Sequence, residues 1–168
     1  MVFLEKIENL QLDIPDDLVN KAAGAALRHQ SAPADADLTV VLTDDAQLHD
    51  LNRNYLGVDA PTDVLSFPSD QTDPQTGRRY LGDILISVPR AARQAEAAGH
   101  AAEEEVQLLV VHGILHLLGY DHADAKEHAT MFGLQDRLLA SWRAEHAALD
   151  GETVPRAGGA GEHGAAPG

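Results

Sequence analysis

Apolar positions along the chain recur with two different periods, and the change between them marks the elements. Residues 2–10 mix Val2, Phe3, Leu4, Ile7 and Leu10 with charged residues and predict an edge strand. After Pro15 and Asp16, Leu18, Val19, Ala22, Ala23, Ala26 and Leu27 follow the three-to-four-residue interval of an amphipathic helix. The polar stretch HQSAPADAD closes that helix. LTVVLT at 38–43 is apolar on both faces and predicts a central strand. Thr43, Asp44 or Asp45 can cap the next helix, which Leu48, Leu51 and Tyr55 line on one side and Gly57 ends. Turn residues at 59–63 precede a short strand, Val64 to Phe67, expected to pair antiparallel with LGDILISV at 81–88. Pro89 opens an alanine-rich helix that reaches Gly99. Ala102 to Leu118 is a helix apolar almost all round. Glu103, Glu104 and Glu105 stand at its start as a solvated cap that complements the helix dipole. A last helix spans about Asp124 to Ala148, with Met131, Leu134, Leu138, Leu139 and Trp142 on its apolar side.

This order predicts an α/β (α+β) domain, a small mixed sheet of about four strands packed with five to six helices. One domain is expected over residues 1–150. The glycine-, alanine- and proline-rich stretch at 151–168 reads as a disordered tail. The chain has 168 residues, enough for a single continuous core. Cysteine is absent, so disulfides and thiolate metal ligands are excluded and any metal must be held by histidine and carboxylate. No apolar run approaches the ~20 residues of a membrane helix, and a cytoplasmic location with no membrane partner is the default expectation. The formal charge of −15 excludes the broad electropositive surface of a non-specific nucleic-acid binder. Glu152 and Glu162 against Arg156 leave the tail at only −1, so the imbalance belongs to the body.

The buried helix carries the candidate chemistry. VVHGILHLLGYDH, residues 110–122, places His112 and His116 four apart, one above the other on the same helical face. Gly119 supplies a helix stop, and three further residues bring His122 back toward the pair. Among nine histidines a chance pair at this spacing is easy, whereas a third at this distance is rare. Two buried imidazoles could instead be satisfied by backbone carbonyls, but the third histidine and the glycine favour a metal site. Three histidines leave a fourth tetrahedral position for water, as in a catalytic zinc centre, where the bound water is acidified toward pH ~7. His128 and His146 have no partner at ligand spacing and read as surface residues.

HxxxHxxGxxH is also the spacing of metzincin proteases, in which a glutamate follows the first histidine as general base. Here that position is Gly113, so peptidase chemistry of that kind is disfavoured. A mid-helix glycine lowers helix stability by roughly 0.5–1 kcal/mol, which implies a close approach of backbone, substrate or a packed neighbour.

HGILHLLGYDH, together with PTDVLSFP at 61–68 and LGDI at 81–84, resembles the YbeY family of bacterial rRNA maturation factors, with the likeness covering about residues 1–145. The resemblance implies a zinc-dependent, single-strand-specific endoribonuclease. Its role would be maturation of the 3′ end of small-subunit rRNA and ribosome quality control. It places one zinc ion on His112, His116 and His122 with a water, and implies single-stranded rRNA, the small ribosomal subunit and a ribosomal protein or GTPase as partners, with no DNA expected. Many members carry an arginine directly after the aromatic residue of the helix before PTDVLSFP. Here Tyr55 is followed by Leu56, and Arg53, on the neighbouring turn, is a candidate replacement.

The general base stays open. Asp121, beside the third ligand, can orient a histidine or form the turn. Asp63 follows a proline-threonine turn and can act or cap, and Asp83 begins a strand, where a carboxylate is unusual. Phosphates would fall to Arg78, Arg79, Arg90 or Arg93. Attack by zinc-bound hydroxide and attack by the RNA 2′-hydroxyl are both compatible with these residues. Two other functions compete: a ribosome-assembly factor with a mainly structural zinc, and a metal-dependent hydrolase of non-RNA substrates.

Overall fold

A computed structural model of the chain describes residues 1–119 apart from 11, 31 and 34, together with 129, 133, 136, 137, 140, 143 and 144. Four strands and four helices follow in the order β1 (Val2–Lys6), α1 (Asp16–His29), β2 (Ala36–Thr43), α2 (Asp45–Leu56), β3 (Val64–Pro68), β4 (Arg79–Ser87), α3 (Val88–Ala98) and α4 (Ala102–Leu117). The fold is α+β with a mixed sheet, as the pattern predicts. Among the described residues the helices number four, below the expected five to six. Most of the predicted last helix, 124–148, lies outside the described residues, although 129, 133, 136, 137, 140, 143 and 144 are helical. His128, His146 and the expected tail at 151–168 also lie outside them.

The sheet order is β1-β2-β4-β3. β1 and β4 flank β2 in parallel, and β3 returns antiparallel along the outer side of β4. The apolar run of β2 thus takes the central place expected of it. Its alternation separates two cores. Leu38, Val40 and Leu42, with Ile84 and Ile86 of β4, face a large cluster built with α1, α3 and α4. On the opposite face, Leu65 and Leu85 pack with Leu48 of α2, joined by Val41, Leu51 and Phe67. Helices therefore cover both faces of the sheet, and each face buries the apolar half of a period-two pattern.

Local signals set the ends. Asp44 is the N-cap of α2, its carboxylate accepting from the Gln47 amide at 2.9 Å. Ser87 caps α3, with proline in the first turn. β4 is irregular at its start: Asp37 pairs with Tyr80 and Leu38 with Gly82, so Leu81 is an extra residue. That bulge turns Leu81 into the large core and puts Tyr80 on the same face as Asp83.

Two expectations fail at helix ends. Tyr55 does not line the buried side of α2 but is 70% exposed, because the last turn of that helix extends past its packed residues. The glutamates at the start of α4 are not all solvated. Glu104 and Glu105 are mostly buried, Glu105 with His100 at 2.7 Å and Glu104 with Arg143 at 2.9 Å. Partners outside their own helix, the Arg143 guanidinium and the His100 ring, draw them in.

Candidate functional site

α4 lies over β4, and two glycines allow it to come close. A Cβ on Gly113 would stand 2.6 Å from Cγ2 of Ile84, a fully buried residue of the sheet. The close approach implied by this mid-helix glycine is therefore a helix–sheet contact. Gly82, at φ 137°, faces Leu117 from the strand, where a Cβ would meet the Leu117 side chain at 2.9 Å and the Phe67 carbonyl oxygen at 2.2 Å. Gly113 over Ile84 and Leu117 over Gly82 fix the direction: α4 runs antiparallel to β4, its C-terminal end toward Arg79. Ser66 of β3 donates a hydrogen bond from Oγ to the Gly113 carbonyl at 3.4 Å, tying the outer strand to the same turn.

His112 and His116 stand on this helix with ring centroids 4.6 Å apart, and both are half-buried. The i, i+4 spacing has brought the two imidazoles together on one face. α4 ends after Leu117, with the Leu118 amide donating to the Ile114 carbonyl and Gly119 at φ 101°, so the glycine stop stands where the sequence puts it. His122 and Asp121 lie outside the described residues. Among the described residues no three histidine or acidic groups converge as a metal site, so the pair offers two of the three expected ligands.

The remaining candidates are dispersed. Asp63 precedes β3 at the far end of β4, where its carbonyl accepts from the Ser87 amide at 2.9 Å and its carboxylate from Gln94 at 3.2 Å. Asp83 lies within β4 rather than at its start, paired with Phe67 on the sheet face turned away from α4. There it accepts from the Tyr80 hydroxyl, which also lies 2.6 Å from Oγ1 of Thr39. Burial, reinforced by the Asp83 hydrogen bond, pushes the Tyr80 phenol up to about 12. Arg53 pairs with Asp50 at 2.9 Å on the exposed side of α2.

Carboxylates engage three of the four arginines considered for phosphates. Arg78 forks onto Asp37 at 2.6 and 2.9 Å, and the N-terminal ammonium joins the same carboxylate at 2.9 Å. The Arg78 hydrogen bonds, aided by that ammonium, hold the Asp37 carboxyl far below the usual carboxylate range. Arg90 and Arg93 both reach Asp45, which also accepts from the Ser87 hydroxyl. Burial works to raise the Asp45 carboxyl, but those hydrogen bonds and the two guanidinium charges outweigh it and lower it. Arg79 has no carboxylate partner among the described residues, and it stands at the end of β4 toward which α4 points.

Sequence reasoning did not single out Ser66 or Phe67. Their signal lay in the PTDVLSFP stretch, whose alternation sends Ser66 toward α4 and Phe67 toward α2. Phe67 meets Tyr55 edge-on, with ring centroids 5.9 Å apart and planes at 72°.

The family profile described as endoribonuclease YbeY matches residues 5–143. The chain belongs to the YbeY endoribonuclease family. A relative of that name from Nocardioides sp. is 50% identical over 116 residues, covering 65% of this chain and 76% of its own. The Salinispora tropica member is 44% identical over 142 residues, 79% of this chain and 90% of the relative. The Nocardia farcinica member is 42% identical over 164 residues, 88% and 89% of the two chains. The solution structure of a Thermotoga maritima protein shares the fold with a TM-score of 0.61 at 23% identity, covering 95% of this chain and all of the other. The YbeY match takes in all three histidines of the motif together with Arg53, Asp63 and Asp121.

Proposed function

We propose that this chain is a zinc-dependent, single-strand-specific endoribonuclease. Its substrate is the 3′ region of small-subunit rRNA, and its place is in rRNA maturation and ribosome quality control in the cytoplasm. The observation that carries this reading is the His112–His116 pair, two imidazoles 4.6 Å apart on one face of a buried helix, in a chain of the YbeY family. Two neutral ring nitrogens four residues apart fit a zinc ion. His122 would be the third ligand, brought round by the turn at Gly119. When bound there, zinc supplies Lewis-acid polarisation of the scissile phosphate and a water acidified toward neutral pH.

The protein's own contribution is position. Gly113 and Gly82 let α4 seat on β4, and Ser66 tethers the turn between the two histidines to β3. The imidazoles are thereby held by a helix and a sheet rather than by a loop. Asp121 would orient the third ligand from outside. With Arg78, Arg90 and Arg93 held by carboxylates, Arg79 is the candidate for an RNA phosphate on the side of His116. The excess of acid leaves little intrinsic attraction for RNA, which favours a ribosomal-protein or GTPase partner that delivers the substrate.

A cleavage assay tests this. The wild type, loaded with zinc, should cut a single-stranded RNA and spare the matching duplex. His116→Ala should lose at least ~100-fold in rate while melting as a folded protein, since even the outer partners that only support a metal ligand contribute about 10- to 100-fold. Cleavage by a metal-stripped preparation at the wild-type rate would overturn the reading. No RNA cleaved by any form, with His116→Ala less stable to heat yet still binding the ribosome after refolding, would favour an assembly factor with a structural zinc.

A further inference from the structure

The exposed apolar surface at the end of α2 has no role in the site described so far. Tyr55 is 70% exposed, Leu56 56% and Val58 48%, three large side chains within four residues. Gly57 between them takes a left-handed turn at φ 71° that ends the helix and keeps its flanks outward. The Tyr55 ring is nevertheless held, because Phe67 packs edge-on against it from β3. A fixed aromatic ring that is mostly open to solvent presents a surface for another flat group.

Its place in the fold says what that group is. Phe67 neighbours Ser66 on β3, and Ser66 bonds the carbonyl of Gly113, next to His112. β3 is the outer strand of the sheet, with Tyr55 on one face and the histidine helix on the other. A flexible single strand crossing the edge of β3 would pass from the Tyr55 face to the face that carries the histidine helix. Charge does not by itself draw a polyanion here: the body is acidic, and Arg53, Arg78, Arg90 and Arg93 are each paired with a carboxylate. That leaves Arg79 for phosphate and more of the holding of an RNA strand to base stacking.

We propose that Tyr55, braced by Phe67 and flanked by Leu56 and Val58, is the platform on which a base of the single-stranded RNA stacks while the strand passes to the His112–His116 pair. Stacking needs an unpaired base, so the platform is itself a source of selection against duplex. This rests on the endoribonuclease reading above, and Tyr55 acts as a positioning residue.

The test is binding of a fluorescent 2′-O-methyl oligonucleotide, checked to be intact after incubation, to the wild-type protein, Tyr55→Phe and Tyr55→Ala, alongside steady-state cleavage of unmodified RNA. Tyr55→Ala should weaken binding by roughly 5- to 100-fold, the range for loss of one stacked base. It should raise KM by a similar factor with kcat little changed. Tyr55→Phe should stay within about twofold of wild type, because the ring and not the hydroxyl is used. An oligonucleotide with abasic sites should bind wild type and Tyr55→Ala alike. Equal affinity of Tyr55→Ala and wild type for the intact strand would overturn the proposal and leave the patch to a protein partner. A wild-type protein that neither binds nor cuts RNA would instead sink the endoribonuclease reading, and this one with it.

Discussion

Replacing Gly113 with alanine sets two known effects against each other. Alanine is the better helix former by roughly 0.8–1.0 kcal/mol, so a helix judged alone should be stabilised. In the folded protein the new methyl would stand 2.6 Å from Cγ2 of Ile84 and 3.0 Å from both Cγ1 and Cδ1. Ile84 is fully buried in a strand paired on both sides, so it has little room to yield. Overpacking of this kind costs about 1–3 kcal/mol, and a contact this short belongs at the upper end. The net expectation is a loss of about 1–2 kcal/mol, read as a lower urea midpoint with an unchanged slope. Ile84→Ala alone should cost about 2–5 kcal/mol, yet in that background Gly113→Ala should become neutral or stabilising, since all three colliding atoms are gone. Should Gly113→Ala stabilise the wild type by the full propensity difference, the helix–sheet explanation of this glycine is wrong.

Other expectations rest on the ionisable groups. Asp37→Asn removes a carboxylate that accepts from Arg78 and the N-terminus, and should destabilise the protein by about 1 kcal/mol at neutral pH. Because the folded protein depresses this carboxyl, its contribution is present above the ordinary value of 3.8 and is lost as pH falls below it, so the gap between the two proteins should close in acid. Urea midpoints that stay parallel down to low pH would contradict this. The Tyr80 phenol, raised to about 12, should ionise late in an ultraviolet alkaline titration, and Tyr80→Phe should delete that late component. Its contribution to stability is full below the ordinary value of 10.0 and is lost as pH rises toward 12. Superimposable titrations of the two proteins would refute the assignment.

Much of the fold is legible in local chemistry. The period-two and period-three-to-four runs give the strands and helices, the Asp44 cap and Gly57 bound α2, and the β3–β4 hairpin follows from its turn. Strand order is different in kind. Nothing in LGDILISV says that it inserts between β2 and β3, because that depends on which buried faces meet across the whole core. The bulge at Leu81 and the burial of Glu104 depend likewise on distant partners, Asp37 and Leu38 in one case and Arg143 in the other, whereas Glu105 meets His100 only five residues back. In the site, helical spacing suffices to pair His112 with His116. It does not reveal that Asp63 turns to Gln94, that Asp83 faces away from α4, or that Arg53 is tied to Asp50. Those side chains have local neighbours that claim them, which no residue type discloses. Gly113 carries its meaning only once Ile84 is seen above it.

The central claim is a three-histidine metal centre on α4 and the turn after it, and metal content per chain tests it most directly. Elemental analysis of the purified wild type should find about one zinc ion per chain. His112→Ala, His116→Ala and His122→Ala should each fall well below that, while His49→Ala, on the exposed side of α2, should keep it. A wild type without zinc that takes none up, or a zinc content unchanged in all three variants, would contradict the account.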